Sequence, residues 1–305
     1  MTAPEAVVEA QAKLNLFLRV LDREESGYHL IETLFCRIAL ADKVTVRIAG
    51  SGRSLDCYGE RIPAGGLGPV ERNLAWRAAV AYAEATGFPR GFEIEVEKRI
   101  PVGGGLGGGS ADAGAVLRAL NALNPAPIAA DALLRMASSL GADVPFLTQS
   151  ASAFALSWGR GDRMAAVPAL PSSAAWLLVP DASVNTAEAY RWLDEAGKPA
   201  SEPIIPQADL GSWHGIAAVA VNDFEAVVGE RIPRIERLLV ALRSDDLREL
   251  LGPTGMVIMS GSGSTIAILS GQVRPLALEA LPPFAGVTVI ETETATFVEP
   301  VVLTH

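Results

Sequence analysis

Apolar and polar side chains alternate in two stretches within the first 48 residues, and this alternation predicts β-strands. Within residues 7–21, the even positions from 10 to 20 are apolar and most of the odd positions are polar. Successive residues of a strand point to opposite faces of a sheet, so this pattern predicts a strand with one buried face. Residues 35–48 are predicted as a second strand, because Val44, Val46 and Ile48 alternate with polar residues.

Later in the chain the apolar spacing changes to three and four residues, which is typical of helices. The predicted helices cover residues 73–86, 113–123, 133–140 (with Gly141 as its C-cap) and 232–242. Further strands are predicted at residues 92–100, 153–158, 176–179, 287–290 and 295–298, with a hairpin at 256–269. Residues 50–70 are rich in turn formers, and the prolines at 168 and 171 mark a predicted domain boundary.

A glycine-rich segment lies between a predicted strand and a predicted helix. Six of the seven residues from 103 to 109 are glycine. Ser110, a favoured N-cap residue, is predicted to start the helix that follows. Unhindered N–H groups and the positive end of a helix dipole form an anion site, so we predict that the segment binds a nucleotide phosphate. The alternative is a flexible linker, and the strand and helix on either side argue against it.

Two other types of phosphate loop fit the segment less well. A Walker loop needs Gly-Lys followed by Ser or Thr, but Pro199 follows the Gly-Lys pair at residues 197–198. Glycines 103, 105 and 108 satisfy the dinucleotide pattern G-x-G-x-x-G, although a run this rich in glycine satisfies almost any glycine pattern. The dinucleotide fold also needs a second strand ending in an acidic residue, whereas residues 131–137 are predicted to be helical. A nicotinamide-dependent oxidoreductase therefore stays as a minor alternative.

Composition and charge narrow the class of protein. The chain has 305 residues, enough for two domains, and 50% of them are hydrophobic, as in a globular protein. Its net charge of −10 argues against nucleic acid and anionic membranes as partners. The two cysteines indicate reduced intracellular thiols. We find neither a signal-peptide pattern nor an apolar run of the roughly 18 residues that a spanning helix needs, and we predict a cytoplasmic protein.

The glycine-rich segment resembles the second signature of the GHMP kinases (galactokinase, homoserine, mevalonate and phosphomevalonate kinases). The run at residues 101–110 matches their Pro-x-x-x-Gly-Leu-Gly-Ser-Ser-like pattern, and it is most similar to the branch acting on 4-diphosphocytidyl-2-C-methyl-D-erythritol. Residues 259–263, Met-Ser-Gly-Ser-Gly, resemble the third signature, which faces the phosphates; a plain hairpin is the alternative. The resemblance implies an ATP site formed by Pro101, Val102, Gly103, Gly104, Gly105, Leu106, Gly107, Gly108, Gly109, Ser110 and Ala111.

The same resemblance implies two catalytic residues, Lys13 and Asp143. Residues 12–16, Ala-Lys-Leu-Asn-Leu, resemble the N-terminal signature of the family, whose lysine and asparagine (here Lys13 and Asn15) lie at the active site. Gly-Ala-Asp-Val-Pro at residues 141–145 matches the motif of the proposed catalytic aspartate. We expect Asp143 on a bend between a helix and a strand, because a residue before proline favours extended geometry. Without the resemblance, an exposed strand lysine and an ordinary turn aspartate are the simpler interpretations.

A further segment resembles the signature of that one branch of the family. Ser-Gly-Tyr-His at residues 26–29 is similar to the motif with which the branch holds the cytidine of its substrate. The resemblance implies that Tyr28 and His29 bind the cytosine, and we expect Tyr190 to stack on its other face. Together with Asn15, these residues form the predicted substrate site. A surface Tyr-His pair without function is the alternative.

The resemblance extends over residues 12–269 and implies a fold and a reaction. The expected class is α+β, with a ribosomal-protein-S5-like domain at residues 1–168, a ferredoxin-like domain at 169–305 and the active site in the cleft between them. The implied reaction transfers the γ-phosphate of ATP, bound with Mg²⁺, to the 2-hydroxyl of 4-diphosphocytidyl-2-C-methyl-D-erythritol in non-mevalonate isoprenoid synthesis.

The resemblance also limits the expected partners and leaves alternatives open. The expected partners are ATP and this substrate, without nucleic acid or membrane, in a monomer or homodimer. No metal ligand is assigned, because Ala111 and Asp112 replace the Ser-Asn pair that is more usual in the family. A GHMP kinase for another small alcohol is one alternative. A non-catalytic nucleotide-binding regulator is another, and the presence of Lys13 and Asp143 argues against it.

Overall fold

The computed structural model describes residues 4–25, 27, 29–161, 163–197, 209–271 and 285–304, and these residues form two β-sheets with helices packed on them. The strands are β1 (Glu5–Arg23), β2 (His29–Ala49), β3 (Arg53–Tyr58), β4 (Gly91–Glu97), β5 (Phe154–Gly159), β6 (Arg163–Val167), β7 (Ala174–Pro180), β8 (Met256–Met259), β9 (Ile266–Leu269), β10 (Val287–Glu293) and β11 (Val302–Thr304). The helices are α1 (Leu74–Thr86), α2 (Gly108–Leu123), α3 (Ala130–Leu140), α4 (Val144–Thr148), α5 (Thr186–Ala196), α6 (Trp213–Val219), α7 (Phe224–Arg231), α8 (Pro233–Leu242) and α9 (Asp245–Leu251).

The first sheet is organised around the long strands β1 and β2. Its order is β11-β1-β2-β4-β3, and β5 also pairs with β2 and continues to β6. The β1–β2 pairing shifts register between Gln11 and Lys13 and again between Asn15 and Phe17. Such irregularities bend a strand and change where its side chains point. Here they occur on either side of Lys13 and Asn15, two residues of the predicted site.

The second sheet has the order β10-β7-β9-β8 and is antiparallel throughout. Its buried side chains form a core with those of α5, α7, α8 and α9. The two sheets with their helices agree with the predicted α+β class. The predicted boundary at residue 168 falls between β6 and β7, and the division into domains stays a prediction. The last strand, β11, returns to the first sheet and pairs with β1.

Two local predictions around the site are wrong. Ser110 is not an N-cap: α2 begins at Gly108, and Gly107 occupies the cap position with no capping side chain. The segment after Asp143 is the short helix α4 rather than a strand, and Pro145 lies in its first turn. Proline is tolerated there because the first N–H groups of a helix have no partner within it.

Two predictions near the edges of the first sheet also need correction. The turn-rich region 50–70 contains β3, which runs parallel to β4. Residues 295–298 are not a strand, and the terminal strand is β11, a few residues later. Both strands are short and mostly exposed, so their sequences carry a weak apolar alternation. None of the helices in the described ranges is both long and apolar enough to cross a membrane.

Candidate active site

Most of the predicted site residues line one cavity of about 470 Å³. One side is formed by β1, the glycine-rich segment and the start of α2, and the other by α5, the start of α7 and the turn after β8. The predicted residues that line it are Lys13, Asn15, residues 101–110, Asp143 and Tyr190. Ala111 is buried within α2, His29 lies outside the lining, and Tyr28 lies outside the described residues.

Two glycines of the segment are required by close contacts as well as by backbone conformation. Gly105 and Gly107 have φ angles of 77° and 72°, which side chains rarely allow. A Cβ atom on Gly105 would lie 2.1 Å from the carbonyl oxygen of Ser260. One on Gly107 would lie 2.9 Å from Cγ of Lys13. The backbone of the segment therefore packs directly on a loop of the second sheet and on the predicted catalytic lysine.

The start of α2 offers its N–H groups to the cavity. The first N–H groups of a helix have no partner within it, and no side chain caps this one. Gly108, Gly109 and Ser110 all line the cavity. Free N–H groups and the positive end of a sixteen-residue helix favour an anion at this position.

The turn between β8 and β9 contacts the glycine-rich segment from the second sheet. The Ser260 hydroxyl donates a hydrogen bond to the Gly105 carbonyl oxygen at 3.0 Å, and the Thr265 N–H donates to the Gly104 carbonyl oxygen at 3.1 Å. The Asn222 side-chain amide donates to the carbonyl oxygens of Met259, at the end of β8, and of Gly261, in this turn, at 2.7 Å each. The second and third signatures therefore form one continuous wall of the cavity.

Lys13 is buried at the end of this wall, where three groups surround its ammonium. Nζ donates to Oδ1 of Asn15 at 2.6 Å and lies 3.4 Å from Oδ2 of Asp143. It also lies 5.7 Å from the centre of the Phe35 ring. The Lys13 N–H donates to the carbonyl oxygen of Leu106, which ties β1 to the glycine-rich segment. This side chain is 3% exposed, whereas that of Asp143 is 31% exposed.

Asn15 is held in place by neighbours on both strands. Its Nδ2 donates to the Thr33 hydroxyl at 2.8 Å, and that hydroxyl donates to the carbonyl oxygen of Phe17 at 2.6 Å. These two hydrogen bonds orient the Asn15 side chain so that its Oδ1 faces the Lys13 ammonium. Lysine, asparagine and aspartate therefore form one hydrogen-bonded and ion-paired group at the cavity.

A second buried lysine lies beneath the start of α2. Lys98 Nζ contacts Asp42 and lies 2.7 Å from Oδ2 of Asp112, and both Lys98 and Asp112 line the cavity. Burial raises the pKa of Asp112 to about 7, against the opposing effect of the Lys98 ammonium. Burial acts to lower the pKa of Lys98, but the two carboxylates raise it overall. The second oxygen of Asp112 has no hydrogen-bond partner among the described residues.

Aromatic side chains at one side of the cavity link α5 to β2. The Tyr190 ring stacks on the His29 ring at 4.7 Å and meets Phe224 edge-on at 4.9 Å. His29 Nε2 lies 2.7 Å from Oδ1 of Asp194, which is also on α5. Burial raises the pKa of Tyr190 to about 12, and the charge of Asp143 acts in the same direction. His29 and Tyr190 are therefore in contact with each other, on opposite sides of the boundary between the sheets.

Comparisons with known proteins bear on this arrangement. The profile of the GHMP kinase N-terminal domain matches residues 73–151. A 4-diphosphocytidyl-2-C-methyl-D-erythritol kinase of Desulfitobacterium hafniense is 36% identical over 84% of this chain and 84% of its own length. One of Deinococcus radiodurans is 37% identical over 84% of this chain and 81% of its own length. The chain belongs to the family of 4-diphosphocytidyl-2-C-methyl-D-erythritol kinases.

A solved structure of the family agrees with the membership. The crystal structure of a 4-(cytidine 5'-diphospho)-2C-methyl-D-erythritol kinase aligns with a TM-score of 0.72 and 36% identity, over 94% of this chain and 98% of that one. The predicted GHMP kinase family and the α+β fold are confirmed, and the chain is a kinase. The roles of individual site residues stay predictions.

Several side chains that shape the site in this family member were not predicted from the sequence. They are Thr33, which orients Asn15; Phe35, under the Lys13 ammonium; Asp42, Lys98 and Asp112, beneath α2; Asp194, on His29; and Asn222, on the third signature. Each contact joins residues of different segments, between 14 and 165 positions apart in the chain for the hydrogen bonds of Asp112 and His29. Lys98 and Asp112 carried a sequence signal, because both lie within three residues of the glycine-rich signature at residues 101–110 and lysine is rare in this chain.

Proposed function

We propose that this protein transfers the γ-phosphate of ATP to the 2-hydroxyl of 4-diphosphocytidyl-2-C-methyl-D-erythritol. The observation that supports it most is the contact between Lys13 and Asp143, 3.4 Å apart, at a cavity walled by the glycine-rich segment. The names of the two relatives and of the solved structure supply the alcohol substrate. The proposed reaction is a step of non-mevalonate isoprenoid synthesis.

The triphosphate is proposed to lie against residues 101–111. The uncapped start of α2 supplies N–H donors, and the absence of side chains at Gly105 and Gly107 lets the segment pack against the turn after β8 and against Lys13 while it lines the cavity. Phosphoryl transfer needs mainly positioning and neutralisation of charge. We propose that Mg²⁺ arrives with ATP, because this ion keeps several waters and binds through substrate phosphates and one or two protein oxygens. Asp143 and the Ser110 hydroxyl supply oxygen atoms at the cavity.

Asp143 is proposed to take the proton of the substrate hydroxyl, and Lys13 to stabilise the charge on the transferred phosphoryl group. The carboxylate is partly exposed to the cavity, as an acceptor of a substrate proton must be. The lysine is buried and fixed by Asn15, so its charge is directed without a cost of reorganisation during the reaction.

Tyr28, His29 and Tyr190 are proposed to hold the cytosine. His29 Nε2 lies 2.7 Å from Oδ1 of Asp194, and we propose that it donates a hydrogen bond to this carboxylate, which leaves Nδ1 to accept one from the base. An acceptor matches the exocyclic amino group of cytosine and does not match the carbonyl oxygen of uracil. A cytoplasmic location and a monomer or homodimer stay predictions.

The test is to incubate the purified protein with ATP, Mg²⁺ and a panel of alcohols, and to identify the phosphorylated product by mass. We expect phosphorylation of 4-diphosphocytidyl-2-C-methyl-D-erythritol and not of homoserine or mevalonate. Asp143→Asn should lower kcat by roughly 10²–10⁴-fold with little change in substrate affinity. Lys13→Met should do the same, and the double variant should lose much less than the product of the two effects.

Asp131→Asn is the matched control, because Asp131 is an exposed carboxylate on α3. It should keep wild-type kcat. Phosphorylation of another alcohol in place of the cytidine substrate would replace the proposed substrate with that alcohol. A loss of less than about threefold in Asp143→Asn would remove Asp143 from the role of base.

A further inference from the structure

Arg37 is a fully buried cation that makes no ion pair within the part of the chain that the structure describes. It lies on β2 directly opposite Lys13 in the strand pairing and is 1% exposed. Its Nη2 donates to the carbonyl oxygens of Phe146, at 2.7 Å, and Gln149, at 3.0 Å, while its Nε has no partner among the described residues. Burial lowers its pKa to about 9, and nearby Arg118 acts in the same direction. The guanidinium is therefore charged at neutral pH and is compensated by carbonyl dipoles.

The two carbonyl groups belong to the last turn of α4 and the residue after it. Asp143 immediately precedes the same helix, and its own carbonyl oxygen accepts the Leu147 N–H. A helix of five residues spans only about 7.5 Å. The C-terminal end of a helix is negative and favours a cation. Arg37 therefore holds one end of a short rigid element whose other end carries the predicted base.

Two stacked aromatic rings lie between the Arg37 guanidinium and the Lys13 ammonium. Phe35 and Phe146 are stacked with their centres 4.9 Å apart. The Arg37 guanidinium lies 5.1 Å from the Phe146 ring centre, and the Lys13 ammonium lies 5.7 Å from that of Phe35. Both Phe residues are buried. Movement of α4 would therefore change the position of Phe146, of its stacked partner and of Asp143 relative to Lys13.

We propose that Arg37 is a positioning residue for phosphoryl transfer: it holds the C-terminal end of α4 and so sets the distance between Asp143 and Lys13. The proposal rests on the role of Asp143 given above. A buried cation without a carboxylate costs free energy, and an apolar side chain of similar volume avoids that cost. Arginine at this position is explained if it keeps Asp143 and Lys13 in the reacting geometry. A displacement of a reacting group by about 1 Å can lower the rate about 10²-fold.

The test combines Arg37 variants with Asp143→Asn in a double-mutant cycle. Arg37→Met removes both hydrogen bonds and should lower kcat by about 10- to 100-fold, with KM for both substrates within about threefold of wild type. Arg37→Lys keeps a charge and a donor, and it should recover part of the lost kcat. In the Asp143→Asn background, Arg37→Met should lower kcat by less than about threefold further, because the group that it positions is gone.

Arg118→Met is the matched control. Arg118 is also a buried arginine with a carbonyl partner, that of Glu299, but it does not contact α4 through a hydrogen bond. It should lower the melting temperature while kcat per folded molecule stays within about twofold of wild type. If Arg37→Met does not fold, the cycle is run with Arg37→Lys.

Two outcomes would overturn the proposal: an Arg37 variant with reduced stability but wild-type kcat, or an equal loss of kcat with and without the Asp143 carboxylate. An inactive Arg118→Met would also count against it, since loss of any buried arginine would then suffice. Asp143→Asn alone tests the proposed function separately. If that variant keeps wild-type kcat, the base assignment fails first, and any loss caused by Arg37→Met must then have another origin.

Discussion

At the scale of single residues, the charged groups of the site are fixed by partners from both near and distant segments. Lys13 is held by Asn15 and lies beside Asp143, more than a hundred residues later. His29 is held by Asp194, from the other half of the chain. When its neighbours allow a side chain only one orientation, that side chain loses little conformational entropy on binding or reaction. The partner therefore decides what each group can donate or accept.

Asp194 gives a test of this idea for base recognition. An aspartate carboxylate only accepts hydrogen bonds, whereas an asparagine amide both donates and accepts. Asp194→Asn should therefore release the tautomer of His29 and reduce the preference for cytosine over uracil. We expect the ratio of inhibition constants for CDP and UDP to move about tenfold toward equality, about the effect of one hydrogen bond. The measurement is competition of each nucleotide with the alcohol substrate.

Arg23→Met is the control for that variant. Arg23 also pairs with Asp194, through Oδ2 at 3.2 Å, and the change leaves the contact between Asp194 and His29 in place. It should keep the wild-type ratio. An unchanged ratio in Asp194→Asn would mean that His29 does not distinguish the two bases through Nδ1.

At the scale of elements, the glycine-rich segment and the start of α2 act as one unit. The helix begins at Gly108, two residues before the predicted cap at Ser110. A side-chain cap would occupy the N–H groups of the first turn. With glycine at the cap position, these groups stay available to an anion. The uncapped start of α2 therefore supports a phosphate site at this helix.

Gly107→Val should abolish binding of ATP. Its φ of 72° is unfavourable for a β-branched residue, and its Cβ would lie 2.9 Å from Cγ of Lys13 and 3.3 Å from Cδ1 of Leu147. The measurement is ATP affinity by calorimetric titration, with circular dichroism to establish folding. Gly50→Ala is the control, because no atom lies within 4 Å of a Cβ there. A folded Gly107→Val protein with wild-type ATP affinity would contradict the phosphate-loop assignment.

Helices and strands could be predicted from the sequence where the local pattern of apolar residues is strong. They could not be predicted where contacts with distant residues determine the local structure. The alternation in β1 and the apolar spacing in α1 predicted those elements closely, and the structure adds an N-cap to α1, where the Asn73 side chain accepts the Ala75 N–H. Helix α4 was not predicted, because five residues are too short for a periodic pattern. Its position also depends on Arg37 and on Gly114, where a Cβ would lie 2.6 Å from the carbonyl oxygen of Leu147.

At the scale of the whole molecule, one apolar core extends across both sheets, beside the separate core between the second sheet and its helices. Buried residues of β7, β8 and β9 belong to the same apolar cluster as those of β1, β2 and α2. The cavity is also built from both, since Lys13 and Gly107 come from the first sheet region and Tyr190 and Gly261 from the second. The family signatures predicted a cleft site, but the contacts between the signatures could be learned only from the structure.

A shared core and a shared site predict that the described segments unfold together. We expect a single thermal transition, with equal calorimetric and van't Hoff enthalpies. MgATP binds only the folded protein, so a concentration of 100 times its Kd should add about 2.7 kcal/mol to the free energy of unfolding and raise that one transition. The Gly107→Val protein should show no such shift. Two separate transitions, of which MgATP raises only one, would mean that the sheets unfold independently and that the nucleotide contacts one of them alone.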